Sequence, residues 1–261
     1  MATYLDRIVA AHRAAAALED RPIERLRRAA AGCPPCRDFA GALGGGTTVN
    51  VIAEVKRRSP SKGALAPDLD PAKLAASYAA GGASCLSVLT DVEFFGGSAQ
   101  DLAAARAASG LPVLRKDFTV CEHDVVDARL MGADCVLLIV AALTDDELRR
   151  FYELAGELGM AALLEVHDEA ELERVLPLQP TVVGVNQRDL VTFEVDTARA
   201  VRVAPHIPPG IVAVAESGIT GAADAEVLAA AGFHAVLVGE TLVTAGDPAA
   251  TVRSLAVARP R

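Results

Sequence analysis

Residues 51–63 read VIAEVKRRSPSKG, and this stretch decides the fold. Its alternation places Glu54 and Lys56 on the same side of a β-strand. The strand ends where these charges lie, because Pro60 and Gly63 cannot continue a central strand. In α/β proteins, ligands bind at the carboxyl ends of the strands. The two charges therefore fit a functional site, although a surface ion pair at a strand end fits this stretch equally well.

An apolar run, a polar break and a helical pattern follow one another eight times from residue 49 onward. The predicted strands are 49–55, 84–89, 112–115, 134–140, 161–166, 181–186, 211–215 and 234–238. The predicted helices start near Pro71, Ser98, Glu122, Thr144, Asp168, Asp196, Gly221 and Pro248. Eight such units predict an α/β fold, a closed (β/α)8 TIM barrel. An open doubly wound sheet is the alternative, and it is disfavoured because no G-x-G-x-x-G motif follows the first strand.

Residues 1–48 precede this pattern and are predicted to form a helical extension packed on the barrel, which spans residues 49–261 of a single domain. Apolar positions at helical spacing predict two helices in the extension. His12 lies in the first of them and is interpreted as a surface residue without a role. The glycine-rich residues 41–46 are predicted to be a flexible lead into the first strand.

Composition excludes several classes of protein. The chain has 261 residues, of which 52 % are hydrophobic and 4 % aromatic, and this favours a core of buried parallel strands. A net charge of −9 argues against nucleic acid and anionic membrane as partners. The first residues lack the order of a signal peptide and no apolar run is long enough to span a bilayer, so a cytoplasmic protein is expected. Cys33 and Cys36 form a lone CxxC pair, which does not favour a zinc or redox site.

Polar residues recur where the predicted strands meet the loops that follow them. After the second strand, Phe94 and Phe95 could form a wall for a flat ligand or could equally anchor the loop. After the last two strands, Ser217-Gly218 and Gly239 resemble the phosphate-binding loops of barrels, in which backbone N–H groups hold the anion. A polar residue at one strand end is usually a solvated surface group. Recurrence at the same end of six strands indicates a site.

Eight motifs carry a resemblance that covers nearly the whole length. They are AEVKRRSPSKG, SVLTDVEFFGGS, PVLRKDF, LLIVAAL, LLEVHDE, GVNQRDL, VAESGI and VLVGETLV. In these motifs the chain resembles the indole-3-glycerol-phosphate synthases of tryptophan biosynthesis. The resemblance implies a carbon–carbon lyase, a carboxy-lyase that converts 1-(2-carboxyphenylamino)-1-deoxyribulose 5-phosphate into indole-3-glycerol phosphate, CO2 and water. It implies a small-molecule substrate and neither a metal nor an organic cofactor. A monomer is expected, with a homodimer as the alternative.

The resemblance also implies the site residues, motif by motif. The catalytic residues would be Glu54, Lys56, Lys116, Glu165, Asn186, Glu216 and Ser217. The substrate-binding residues would be Ser59, Phe95, Phe118, Arg188 and Leu190. The phosphate would be held by Ser217, Gly218, Gly239 and Glu240. Glu240 departs from the small residue that relatives often have there, and its carboxylate would repel phosphate if it turned inward, so its side chain is expected to point away.

The chemistry explains why such residues are needed. The carboxylate-bearing aryl carbon must attack the ketone carbon, so an acid must stand beside the developing alkoxide, and Lys116 is the candidate. Burial near Lys56 would lower the pKa of Lys116, whereas Glu54 and Glu165 would raise it, and the sequence leaves this balance open. Lys56 would hold the substrate carboxylate. Either lysine could be the principal acid.

Two other functions remain as alternatives. A phosphoribosylanthranilate-isomerase-like enzyme would be expected to use a Cys and Asp pair, and no strand-end cysteine is placed for that role. A barrel that only binds a sugar phosphate could dispense with Lys116 or Glu165 while keeping its glycines. Both residues are present, which favours the synthase.

Overall fold

The barrel is formed by parallel strands of the short, apolar type that the sequence predicts. The computed structural model describes residues 3–260. Its strands are β1 (Asn50–Val55), β2 (Arg58–Ser59), β3 (Gly63–Ala64), β4 (Cys85–Leu89), β5 (Val113–Lys116), β6 (Cys135–Ile139), β7 (Ala161–Val166), β8 (Val182–Asn186), β9 (Val212–Glu216) and β10 (Ala235–Val238). Eight of them close in the order β1-β10-β9-β8-β7-β6-β5-β4, and β2 pairs with β3 in a small hairpin after β1. The predicted (β/α)8 barrel is confirmed, and every predicted barrel strand ends within one residue of the observed one.

Helices alternate with the barrel strands and surround them. They are α1 (Tyr4–Ala17), α2 (Ile23–Ala31), α3 (Phe39–Gly44), α4 (Pro71–Ala80), α5 (Ala99–Ser109), α6 (Glu122–Leu130), α7 (Asp145–Glu157), α8 (Glu169–Val175), α9 (Arg199–Val203), α10 (Ala222–Ala230), α11 (Glu240–Val243) and α12 (Pro248–Leu255). The Thr144 side chain accepts a hydrogen bond from the Glu147 backbone N–H, as the capping pattern predicts. The helix predicted near Asp196 begins later, at Arg199, because the Asp196 N–H donates to Gln187 and keeps that residue in the loop.

The alternation of residues 51–56 separates two layers of core. Ile52 points into the barrel with Leu114, Leu163 and other small aliphatic side chains. Val51 and Val55 point outward and pack beneath the surrounding helices. Aliphatic residues make up most of both layers, as expected for parallel strands covered on both faces. Ile52 and every second residue after it, Glu54 and Lys56, therefore face the inside of the barrel.

The glycine-rich stretch before β1 is a helix, so the prediction of a flexible lead over residues 41–46 is wrong for its first part. Asp38 caps α3 by accepting from the Gly41 N–H, and Phe39 and Leu43 are buried inside the amino-terminal end of the barrel. Burying two large apolar side chains stabilises the helix by several kcal/mol, at about 1.5–3 kcal/mol for each. This outweighs the poor helix propensity of glycine, about 1 kcal/mol per residue.

The remaining helices of the extension reach the flank and the opposite end of the barrel. On the flank, α2 lies against α6, where Arg27 pairs with Glu122 at 3.1 Å. At the carboxyl ends of the strands, α1 is held by a pair between Arg13 and Glu147 at 2.8 Å. The extension thus supplies side chains to the end of the barrel where ligands bind. Over residues 3–260, no helix is both long and apolar enough to cross a membrane.

Candidate active site

One cavity of about 800 Å³ lies at the carboxyl ends of the barrel strands. The structure brings all fifteen residues predicted for the site to its lining. They are Glu54, Lys56, Ser59, Phe95, Lys116, Phe118, Glu165, Asn186, Arg188, Leu190, Glu216, Ser217, Gly218, Gly239 and Glu240. They converge because parallel strands end at one rim of the barrel, although the residues come from across the chain.

The centre of the cavity holds a lysine between buried carboxylates. The Lys116 Nζ lies 2.8 Å from Glu165 Oε2 and 3.3 Å from Glu216 Oε2. Both glutamates are the inward-facing residues near the ends of their strands, β7 and β9, and each is 1 % exposed. Charges held this far from water interact strongly, so their protonation states depend on one another.

The pKa values of Lys116, Glu165 and Glu216 are shifted in different directions from their usual values. Burial lowers the pKa of Lys116, but the charges of Glu165, Glu216 and Glu54 outweigh it and raise the pKa. Burial also opposes ionisation of Glu165, yet the Lys116 ammonium and His167 lower the pKa of Glu165 to about 2. Burial raises the pKa of Glu216 to about 8, because Lys116 offsets only part of that effect and Glu165 adds to it. The balance left open by the sequence therefore favours a charged Lys116, an ionised Glu165 and a neutral Glu216.

A second lysine and glutamate occupy the neighbouring strand end. The Lys56 Nζ lies 2.5 Å from Glu54 Oε1. Both groups lie so close to Gly239 that a Cβ placed there would be 2.2 Å from Glu54 Oε1 and 2.8 Å from Lys56 Nζ. A side chain at Gly239 would therefore displace the tips of Glu54 and Lys56 and disturb their ion pair.

Hydrogen bonds hold the residues at the end of β8. The Asn186 Nδ2 donates to Glu165 Oε1 at 3.1 Å. The Asn186 Oδ1 accepts from the backbone N–H of Arg188, and Arg188 in turn donates to the carbonyl of Phe193. Asn186 therefore connects the central carboxylate to the loop that carries Arg188 and Leu190.

At the far side of the cavity, the loops after β9 and β10 turn their backbones toward the space. Ser217 and Gly218 both have positive φ, at 68° and 74°. Gly239 precedes the short helix α11. The Glu240 carboxylate, which the sequence predicts to point away from a phosphate, lies at the cavity rim 3.7 Å from Lys62 Nζ. A cation thus partly neutralises the one acidic residue of this loop.

The two aromatic residues after β4, Phe94 and Phe95, have different surroundings, and the sequence left open which of them faces a ligand and which anchors the loop. Phe95 lines the cavity beside Phe118, with ring centroids 6.2 Å apart. Phe94 packs edge-on against Tyr4 of α1 at 6.1 Å and anchors the loop to the extension. One ring faces the cavity and the other anchors the loop.

The interpretation of His12 as a surface residue without a role is wrong. Its Nε2 lies 3.0 Å from Asp91 Oδ2, and its ring packs on Phe118 with centroids 5.4 Å apart. Asp91 also accepts from the backbone N–H groups of Phe94 and Phe95. His12 therefore fixes α1 to the loop that carries the aromatic wall.

Among residues 3–260, the residue types that bind metals come together at His12, Asp91 and Asp117. The Asp91 oxygens accept from His12 and two backbone amides, and Asp117 accepts from Arg115, Thr90 and its neighbour's N–H. Each of these carboxylates already accepts three hydrogen bonds from the protein. The cluster therefore reads as an anchor for the extension.

Comparison with known proteins identifies the family. The family model described as Indole-3-glycerol phosphate synthase matches residues 5–255. The chain belongs to this family. It is 57 % identical over 206 residues to the synthase of a Nocardioides species, covering 79 % of each chain. It is 48 % identical over 261 residues to the synthase of Laribacter hongkongensis, covering 98 % of this chain and 99 % of that one. The family prediction is confirmed, and with it a decarboxylating lyase that forms indole-3-glycerol phosphate.

Solved structures of other barrels share the fold at much lower sequence identity. The 3-hexulose-6-phosphate synthase of Salmonella typhimurium has a TM-score of 0.62 at 12 % identity, covering 79 % of this chain and 96 % of that one. The N-acetylmannosamine-6-phosphate 2-epimerase of Clostridium perfringens has a TM-score of 0.61 at 12 % identity, covering 80 % and 93 %. These likenesses support the barrel architecture alone.

Several residues of the synthase cavity escaped prediction from the sequence. Tyr4, Leu5 and Ile8 of α1 line it, and helical spacing alone does not reveal that this apolar face covers a site. Gln187 is buried and donates from Nε2 to the Ser217 carbonyl at 2.7 Å, which supports the strained turn after β9. The sequence offered one indication of a role for Gln187, namely its position directly after Asn186 in the NQRD motif.

Proposed function

We propose that this cavity binds 1-(2-carboxyphenylamino)-1-deoxyribulose 5-phosphate with its aryl ring against Phe95 and Phe118 and its phosphate at Gly218 and Gly239. The central observation is Lys116, held 2.8 Å from Glu165 in the middle of the cavity. An acid at this position stands between the aromatic wall and the glycine loops. Much of the acceleration comes from holding the aryl carbon and the ketone carbon together.

In the first step, Lys116 is the general acid. The aryl carbon that bears the carboxylate forms a bond to the ketone carbon, and the ketone oxygen takes a proton from the Lys116 ammonium to become a hydroxyl. The raised pKa of Lys116 ensures that the ammonium is present before the substrate arrives. An alkoxide is a far stronger base than an amine, so the proton still moves toward the substrate as the bond forms.

Lys56 holds the substrate carboxylate during this step. Its partner in the free protein is Glu54, at 2.5 Å, so the substrate carboxylate takes over a contact that already exists. The bond from the ring carbon to the carboxylate then breaks, CO2 leaves, and the electron pair of that bond restores the aromatic ring. Glu54 keeps Lys56 in place before binding and after release.

Dehydration completes the indole ring. The ionised Glu165 removes a proton from the neighbouring carbon of the former sugar and delivers it to the new hydroxyl, which leaves as water while the electron pair of the C–H bond forms the ring double bond. Glu165 acts as the acid/base of this step, with Asn186 orienting hydroxyl groups, because both face the cavity and are joined by a hydrogen bond. Glu216, neutral at rest, stabilises the arrangement from the opposite side of Lys116.

The phosphate end is built from backbone N–H groups. Ser217, Gly218, Gly239 and Glu240 contribute them, and Ser59 of β2 lines the same cavity. Arg188 and Leu190 close the side of the cavity next to the substrate. The enzyme is proposed to act in the cytoplasm on this small molecule, as a monomer or as a homodimer. Light scattering after size-exclusion chromatography distinguishes those two states.

Indole fluorescence tests the proposal, because the chain has no Trp and three Tyr. Adding the substrate to the wild-type protein should produce rising indole emission. Lys116→Ala and Glu165→Gln should largely abolish it, whereas Lys73→Ala and Glu173→Gln, at exposed positions, should not. No emission from folded wild-type protein that still binds the substrate would contradict the proposal and favour a binding-only barrel.

A further inference from the structure

His167 lies directly behind the central carboxylate without facing the main cavity. Its Nε2 is 3.8 Å from Glu165 Oε1, on the side away from Lys116. The Nε2 atom is buried and finds no hydrogen-bond partner within residues 3–260. A buried polar nitrogen without a partner is costly unless the neighbouring charge compensates it.

The opposite edge of the ring is fixed by Glu171. The Glu171 Oε2 accepts from the His167 backbone N–H at 2.8 Å and lies 3.0 Å from the ring Nδ1. Glu171 is itself positioned by Asp168, which caps α8 by accepting from the Glu171 N–H. A carboxylate only accepts hydrogen bonds, so Nδ1 carries the proton and Nε2 is the atom that faces Glu165.

We propose that His167 is a positioning residue, whose imidazolium, held by Glu171, keeps the Glu165 carboxylate ionised and turned toward Lys116 and Asn186. This inference rests on the role proposed for Glu165. A neutral ring would direct its Nε2 lone pair at the carboxylate, whereas an imidazolium directs an N–H at it. The line Glu171–His167–Glu165–Lys116 then alternates in charge from the first turn of α8 to the reacting centre.

The charges around the ring support this assignment. Glu165 on β7 and Glu171 on α8 favour the imidazolium, and they outweigh burial and the charge of Arg199 on α9, so the pKa of His167 is raised. Arg199 is shared with Asp189, 3.8 Å away, and with the Asn186 carbonyl, which limits its effect on the ring. The imidazolium also contributes to the lowered pKa of Glu165.

The pH dependence of kcat tests the inference. His167→Asn keeps an amide N–H near Nδ1 for Glu171 and removes the charge facing Glu165. The acid limb of kcat should move up by about one pH unit, as expected for losing an opposite charge within 4–6 Å. We expect kcat to fall about tenfold, with KM within about twofold of wild type. Glu171→Gln should shift the limb in the same direction by less, and His206→Asn, at an exposed position, should leave it unchanged.

NMR titration of the histidine rings measures the pKa of His167 directly. This measurement needs neither turnover nor a folded His167 variant. In the wild type, the His167 resonance should titrate at a higher pH than in Glu165→Gln, by about one unit or more. An unshifted acid limb in folded His167→Asn, or the same His167 midpoint in both proteins, would overturn the inference. Absence of indole formation by the wild type would instead contradict the proposed function.

Discussion

Lys116 pairs with the buried carboxylate of Glu165, with Nζ 2.8 Å from Oε2, and the buried Glu216 approaches the same nitrogen at 3.3 Å. Removing one partner of a buried pair leaves an uncompensated charge, which typically costs about 3–5 kcal/mol. Lys116→Met should therefore destabilise the protein as well as lower kcat by about 10²–10⁴-fold. Urea unfolding and initial rates measure the two effects.

The stability loss of Lys116→Met should shrink at low pH. Glu165 without its ammonium would protonate at a higher pH than in the wild type, and its protonated form needs no counter-charge. Unfolding measured at about pH 5 and pH 8 should therefore give a smaller loss at the lower pH. An equal loss at both values would show that the ion pair is not the source of the destabilisation.

The raised pKa of Glu216 predicts that stability declines as the pH rises from about 4.5 to about 8. Its pKa is raised to about 8, so between about pH 4.5 and 8 the folded protein holds a proton that the unfolded chain has lost. The stabilising contribution is complete below the unfolded pKa and decreases as the pH rises, by at most about 1.4 kcal/mol per pH unit. Glu216→Gln should flatten this decline. Unchanged slopes in urea unfolding would contradict the assignment.

Substitution of Gly218 is expected to weaken substrate binding. A matched substitution at Gly159 separates this effect from backbone strain. Gly218 has φ of 74°, and a Cβ there would lie 2.4 Å from Val195 Cγ1. Gly159 has φ of 75° with no atom within 4 Å of such a Cβ. Alanine at either position costs about 1–2 kcal/mol of backbone strain. Only Gly218→Ala should also raise KM, by about tenfold or more, and steady-state kinetics beside thermal melts separate the two effects.

His12 predicts that the extension supports the aromatic wall. The charges of Asp91 and Asp117 outweigh burial and raise the pKa of His12. Its stabilising contribution is present below its unfolded pKa and is lost as the pH rises through the folded value. His12→Ala should destabilise the protein more at about pH 6 than at pH 9, and should raise KM several-fold by loosening Phe118. His123→Ala, remote from the cavity, is the control, and equal KM values in the two variants would contradict the assignment.

Glu240 predicts an effect of ionic strength on substrate binding. Its carboxylate lies at the end of the cavity proposed to bind the phosphate and is only partly neutralised by Lys62, 3.7 Å away. Glu240→Gln should lower KM about twofold to fivefold at low salt, and the gain should shrink at about 0.5 M salt because exposed charges are screened. Glu226→Gln, on the outer face of α10, should leave KM unchanged at both salt concentrations.

Prediction from the sequence was most accurate where the signal is local. The barrel strands were placed within one residue at each end, because apolar runs and the glycines and prolines beside them lie within a few positions of one another. Helix α3 was missed because glycines hide it, and its stability comes from Phe39 and Leu43 buried in the barrel. His12 was missed because its partner, Asp91, lies 79 positions away.

The sequence by itself determined the fold class, the family and the identity of fifteen residues that line the cavity. Each of these follows from a periodicity, a motif or the rule that barrel sites gather at strand ends. Only the tertiary structure decided which groups carry protons. The charged state of Lys116, the neutral state of Glu216 and the placement of His167 behind Glu165 depend on distances of 2.8 to 3.8 Å between different strands and loops. Electrostatic energy at those distances changes with small differences in distance and with burial. Distance and burial are set by the folded structure, and they cannot be inferred from the order of the residues.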